Sequence, residues 1–125
     1  MKLLLIVTAV FEGITGAALI AAPIFFIGLL LGVAHEEPVG LLICRLTGLA
    51  LISLAIVCLE CRGNQQAGPG IIRALLFYNV GAISILIYAA LGVGFSGLAL
   101  WPATVAHTGL AGWCVKFLNK KQLSA

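Results

Sequence analysis

Residues 74–115 read ALLFYNVGAISILIYAALGVGFSGLALWPATVAHTGLAGWCV, 42 consecutive positions without an Asp, Glu, Lys or Arg. One bilayer crossing takes about 20 apolar residues, so a run about twice that long has to fold back on itself. Gly92, Gly94, Ser96 and Gly97 form the densest group of helix breakers within it and mark the turn. The run therefore predicts two helices, near 71–91 and 98–118.

Working outward, an apolar segment over 3–22 follows Lys2 and stops or kinks at Pro23, which cannot continue a helix without losing a backbone hydrogen bond. The next stretch, IFFIGLLLGV over 24–33, is too short to cross a bilayer at about 1.5 Å per residue. His35, Glu36, Glu37 and Pro38 make a polar loop before an apolar span over 41–59, and CRGNQQAGPG over 61–70 separates two helical hairpins. The expectation is an all-α chain: a four-helix transmembrane bundle with a short interfacial or re-entrant helix after the first span, one integral membrane domain over 1–125.

Composition agrees. Of 125 residues 62% are hydrophobic and 9% charged, and the mean hydropathy is +1.21, far from the roughly quarter-charged norm of soluble domains. A net charge of +3 is too thin for a nucleic-acid surface. Lys2, Arg62, Arg73, Lys116, Lys120 and Lys121 instead gather at alternate helix ends, which by the positive-inside bias puts both termini in the cytoplasm. Trp101 then falls at the outer interface and Trp113 at the inner one. Lys2 and the small residues Ala21 and Ala22 also match the layout of a cleaved signal peptide, but Glu12 inside the apolar stretch argues against cleavage.

Ionisable groups inside a membrane are costly and normally face a bundle interior or a wet cavity. Counting helical rise puts Glu12, Asn79 and His107 in one midplane layer, each about 12–14 Å from the nearer boundary. Arg45 enters from the other side with Glu12 as its one intramembrane carboxylate partner, and Tyr78 adjoins Asn79. Thr8, Glu12 and Thr15 share a helix face beside a small-residue stripe, Ala9, Gly13, Ala17 and Ala21, that favours close helix packing. Glu12, Arg45, Tyr78, Asn79 and His107 thus form either a structural hydrogen-bond network or a ligand or proton site. A quinone head group and a proton both suit these groups. His107 has no second histidine at its level to complete a metal or haem site, so no metal is expected.

Cys58 and Cys61 form CLEC at the end of the second span, with Cys114 near the same boundary. Such a pair either packs as inert thiols or serves redox chemistry beside a quinone. HEEP, His35 to Pro38, offers a cation contact or a solvated loop, and Gly28 and Gly32 give a GxxxG association face. TGAALI over 15–20 is echoed by TGLALI over 47–52, a match within the reach of chance in apolar sequence. No Walker loop, GxGxxG, HExxH or GxSxG pattern supports soluble catalytic chemistry.

The Gly/Thr stripe of the first span followed by Pro23 and IGLLLG, then Arg45-Leu46-Thr47-Gly48, Tyr78-Asn79, and Leu100-Trp101-Pro102 with His107, resemble small bacterial four-helix membrane proteins of the DoxX-like group. That resemblance implies a bacterial inner membrane and, for some members, association with thiosulfate and quinone redox systems. The reading favoured by size is a non-catalytic integral membrane subunit or interaction protein, partnered by lipid and by other membrane subunits or its own copies and requiring no cofactor. Its rivals are a quinone- or thiol-linked redox protein and a small proton-coupled transporter.

Overall fold

The computed structural model describes residues 1–33, 37–64 and 68–122, and among these every regular element is helical. The elements are α1 (Lys2–Ala21), α2 (Pro23–Leu31), α3 (Pro38–Cys61), α4 (Gly68–Ile87) and α5 (Leu100–Gln122). A π-helical turn, Tyr88–Val93, extends α4. Three helices are long and apolar enough to cross a membrane: Lys2–Ala21, Pro38–Cys61 and Gly68–Val93. Large apolar side chains such as Ile14, Leu42 and Leu91 stand exposed on their outer faces, a surface suited to lipid rather than water. α5 is as long, but Thr104, His107 and Thr108 make it more polar.

The prolines set the helix starts. Pro38, expected in a loop, is the first residue of α3, where its missing N–H costs nothing, and the Glu37 carboxylate caps the turn by accepting from Val39 N–H at 3.0 Å and Gly40 N–H at 2.7 Å. Pro69 likewise lies in the first turn of α4, so Gly68–Gly70 are helical where the loop over 61–70 was expected to continue. His35 and Glu36 of the HEEP motif and residues 65–67 of that loop lie outside the described residues.

Pro23 ends α1 as expected, with Ala22 at φ −141°, ψ 59° between α1 and α2. At nine residues, α2 is too short to cross a bilayer and stops at Gly32, whose φ of 77° favours glycine. Ser96 N–H donates to Leu31 O at 3.3 Å and Ala99 N–H to Leu29 O at 2.9 Å, tying α2 to the segment that leads into α5. Gly97 packs directly on the Leu30 backbone, where a Cβ would collide.

The long helices associate as two tight pairs, α1 with α3 and α4 with α5, while α3 and α4 scarcely touch. In the first pair, a Cβ on Gly16 would meet Gly48 O at 2.6 Å, and one on Gly48 would meet Gly16 O at the same distance. This crossing corrects the expected seam: the closest approach is at Gly16, and Ala17 and Ala21 of the period-four stripe are exposed. Removal of both Cβ atoms at one level lets two backbones meet, which alanines cannot allow. The pairs join at one end only, through Leu4, Leu5 and Ala9 of α1, Ala55 and Cys58 of α3, Ile72 and Leu75 of α4, and Leu110 and Cys114 of α5. Beyond that core they part.

Candidate functional site

The space between the parted helices is a half-open cleft of about 710 Å³, lined by all five helices. Its floor is the polar layer just above the apolar core. Its sides are apolar, with Leu19, Leu51 and Leu86 among the residues that line it, and α2 covers its far end through Phe26, Ile27 and Leu30. Lining residues that are also exposed include Thr47 on α3 and Phe77 and Ile85 on α4, so the mouth opens sideways between those two helices. Gly81, one turn from both Phe77 and Ile85, keeps the opening wide, since a Cβ there would meet nothing within 4 Å.

Four of the five polar-layer candidates meet at the floor. Tyr78 donates its hydroxyl to Glu12 Oε2 at 2.9 Å. His107 Nδ1 lies 2.8 Å from Asn79 Oδ1, and Asn79 Nδ2 donates to Leu75 O at 2.7 Å. That second bond orients the amide and so fixes the first: Oδ1 accepts, so Nδ1 carries the proton, and in the neutral ring Nε2 is left with a lone pair. The edges of Phe11 and Tyr78 pack around the imidazole, with ring centroids 5.4 and 5.7 Å away. Glu12 and Asn79 are wholly buried, yet Glu12 Oε1 has no hydrogen-bond partner, and neither has the buried Thr8 Oγ1 one turn away. In apolar surroundings an unpaired polar atom is expensive, so an orphaned oxygen on a carboxyl that lines a cleft is chemically conspicuous.

Arg45 does not join them. It is exposed on α3 and does not line the cleft, so the expected ion pair with Glu12 is corrected to the Tyr78 hydrogen bond. The reason is rotational: α3 turns Gly48 and Leu51 inward to meet α1, and this carries Arg45 to the outside, where its long side chain can reach a polar boundary. The redox candidates also lie elsewhere. Cys58 is wholly buried in the apolar core beside Cys114, Cys61 is half-buried, and all four cysteines are free thiols. None of these three lines the cleft, which leaves Cys58 a packing residue in this arrangement.

Cys44 does line it, together with Thr15, Thr47, Phe26 and Phe77. In the sequence neither Cys44 nor these aromatics stand out from the apolar residues around them. The signal available was the echo of Thr15-Gly16 by Thr47-Gly48: each glycine enters the α1–α3 seam and each threonine lines the cleft. Among the described residues no group of His, Cys, Asp and Glu is arranged to hold a metal ion. No protein-family model, curated protein or solved structure matches the chain.

Proposed function

We propose that this chain is a four-crossing membrane protein that takes a bilayer-soluble amphiphile sideways into the cleft, with the polar end of the ligand at the Glu12–Tyr78–Asn79–His107 layer. The observation that carries this reading is an apolar cleft of about 710 Å³ lined in part by Glu12, a buried carboxyl with one unpartnered oxygen. Sites for small molecules are typically concave, mostly apolar and furnished with a few convergent polar groups. Lateral entry follows because the mouth lies between spans that would face hydrocarbon. A purely structural polar network would explain the hydrogen bonds among Tyr78, Glu12, Asn79 and His107 but not the space above them. The subunit reading accounts for the small size and not for the cleft, whereas ligand binding accounts for both.

In this reading α5 is the fourth crossing, since it lies along α4 and turns Thr104 and His107 inward. The basic residues Lys2, Arg62, Arg73 and Lys116 cluster at the packed end, which we assign to the cytoplasmic side, and the cleft then occupies the outer half of the bilayer. The DoxX-like resemblance adds a bacterial inner membrane.

Photolabelling with an alkyl-diazirine amphiphile in nanodiscs tests the cleft. Adducts are expected on the interior residues Thr15, Leu51 and Ala103 as well as on the outer residues Ile14 and Leu98. In Gly81→Leu, where a Cβ meets nothing within 4 Å and the longer side chain fills part of the cleft, the interior adducts should vanish and the outer ones persist. Interior residues unlabelled in the wild type, or labelled equally in the variant, would contradict the reading.

A further inference from the structure

The floor of the cleft has spent its hydrogen-bond donors internally. The Tyr78 hydroxyl gives its proton to Glu12 Oε2, the His107 Nδ1–H goes to Asn79 Oδ1, and the Asn79 amide donates to Leu75 O. With Glu12 ionised, as a cationic ligand would hold it, what remains at that level are acceptors: the Glu12 carboxylate, His107 Nε2 and the lone pairs of the Tyr78 oxygen. The unused Thr8 hydroxyl does not line the cleft. A quinone head group, whose carbonyl oxygens only accept, is a poor match for this set, and a donor is a good one.

Charge points the same way. Among the described residues Glu12 is the one carboxyl group that lines the cleft and no cation lines it: Arg45 is exposed on α3, and Lys2, Arg62, Arg73 and Lys116 belong to the packed end. An ionised carboxylate in apolar surroundings calls for a counter-charge. The walls suit a cation as well: Phe11, Phe26, Phe77 and Tyr78 all line the space, and aromatic faces attract ammonium groups.

We propose, building on the ligand-binding reading above, that the amphiphile is a lipophilic amine whose protonated nitrogen pairs with the Glu12 carboxylate, with His107 Nε2 and the Tyr78 oxygen as neighbouring acceptors and the aromatic walls around its apolar body. No bond is made or broken. The recognition is a charge-assisted hydrogen bond inside a low-dielectric site, which is stronger than a neutral one.

The test is calorimetric titration in phosphatidylcholine nanodiscs, corrected with empty discs, using phenylhexylamine, phenylhexanol and a short-chain ubiquinone. On the wild-type protein the amine should bind about tenfold or more tighter than the alcohol, as a hydrogen bond to a charged group implies. Glu12→Gln should remove that advantage while leaving alcohol binding in place, and Glu12→Asp should keep part of it. If amine and alcohol bind equally to the wild type, or if Glu12→Gln leaves amine binding unchanged, the amine inference falls and the cleft reading survives. If none of the three probes binds the wild-type protein, both fall. The wild-type comparison of amine with alcohol decides the matter even where a Glu12 variant fails to fold.

Discussion

Gly16 and Gly48 face each other across the α1–α3 crossing so closely that a Cβ added to either would lie 2.6 Å from the carbonyl oxygen of the other. The surroundings repeat the symmetry: the same added Cβ would lie 2.9 Å from the Ile52 side chain at Gly16 and 2.8 Å from the Ile20 side chain at Gly48. The two TG motifs thus do paired work, glycines in the seam and threonines in the cleft lining.

Gly16→Ala or Gly48→Ala should therefore force the α1–α3 pair apart, at a cost of about 1–3 kcal/mol for overpacking a close contact. Gly109→Ala on α5, where a Cβ meets nothing within 4 Å, should be neutral or gain about 0.5–1 kcal/mol from helix propensity. Unfolding titrations in mixed micelles separate the two cases, and equal effects at Gly16 and Gly109 would remove the crossing from the account.

The far end of the cleft depends on Gly97, which lies against the Leu30 backbone where no side chain fits. Gly97→Ala should lift α2 and break the hydrogen bonds from Ser96 to Leu31 and from Ala99 to Leu29. Hydrogen exchange should then rise over 24–31 and remain unchanged in the α1–α3 seam. Unaltered protection of α2 would mean that it is held by other contacts.

His107 is expected to be the Nδ1–H tautomer when neutral, because Asn79 Oδ1 must accept from it. Nitrogen NMR of labelled histidine reads this directly. Asn79→Leu should release the constraint, give a mixed tautomer population and cost about 0.5–2 kcal/mol, the range for a hydrogen bond between membrane helices. A single Nε2–H form in the wild type would overturn the acceptor assignment at the cleft floor.

The thiols provide a fourth check. Cys44 lines the cleft and is half-buried, whereas Cys58 and Cys114 are wholly buried in the core. A small membrane-permeant thiol reagent should modify Cys44 well before either of those, and Gly81→Leu should slow that reaction by filling the space. Equal rates at Cys44 and Cys58 would argue that the helices pack differently.

Much of this architecture is legible in the sequence because lipid imposes simple rules. The length of the uncharged run requires a turn near Gly94, and the structure turns there after a π-helical extension of α4 that the α-helical count did not include. Depth along a helix can be counted from its rise, which brought Glu12, Asn79 and His107 to one level. Rotation about the helix axis cannot be counted so easily. On α3 apolar residues occupy every face, so nothing in the pattern says that Gly48 points inward and Arg45 outward; that is decided by the partner glycine on α1. The cleft was invisible for a related reason. It arises because α3 and α4 do not close on one another, a feature of helix pairing that no residue of either helix announces.

The most direct measurement is a ligand-resolved structure of the protein purified from its own membranes in mild detergent. Density for an elongated molecule entering between Thr47 and Phe77, with its polar end against Glu12 Oε1 and His107 Nε2, is the expected result. Helices α3 and α4 found in contact along their full length, with Glu12 Oε1 bonded to a protein side chain and no space beside it, would contradict the account.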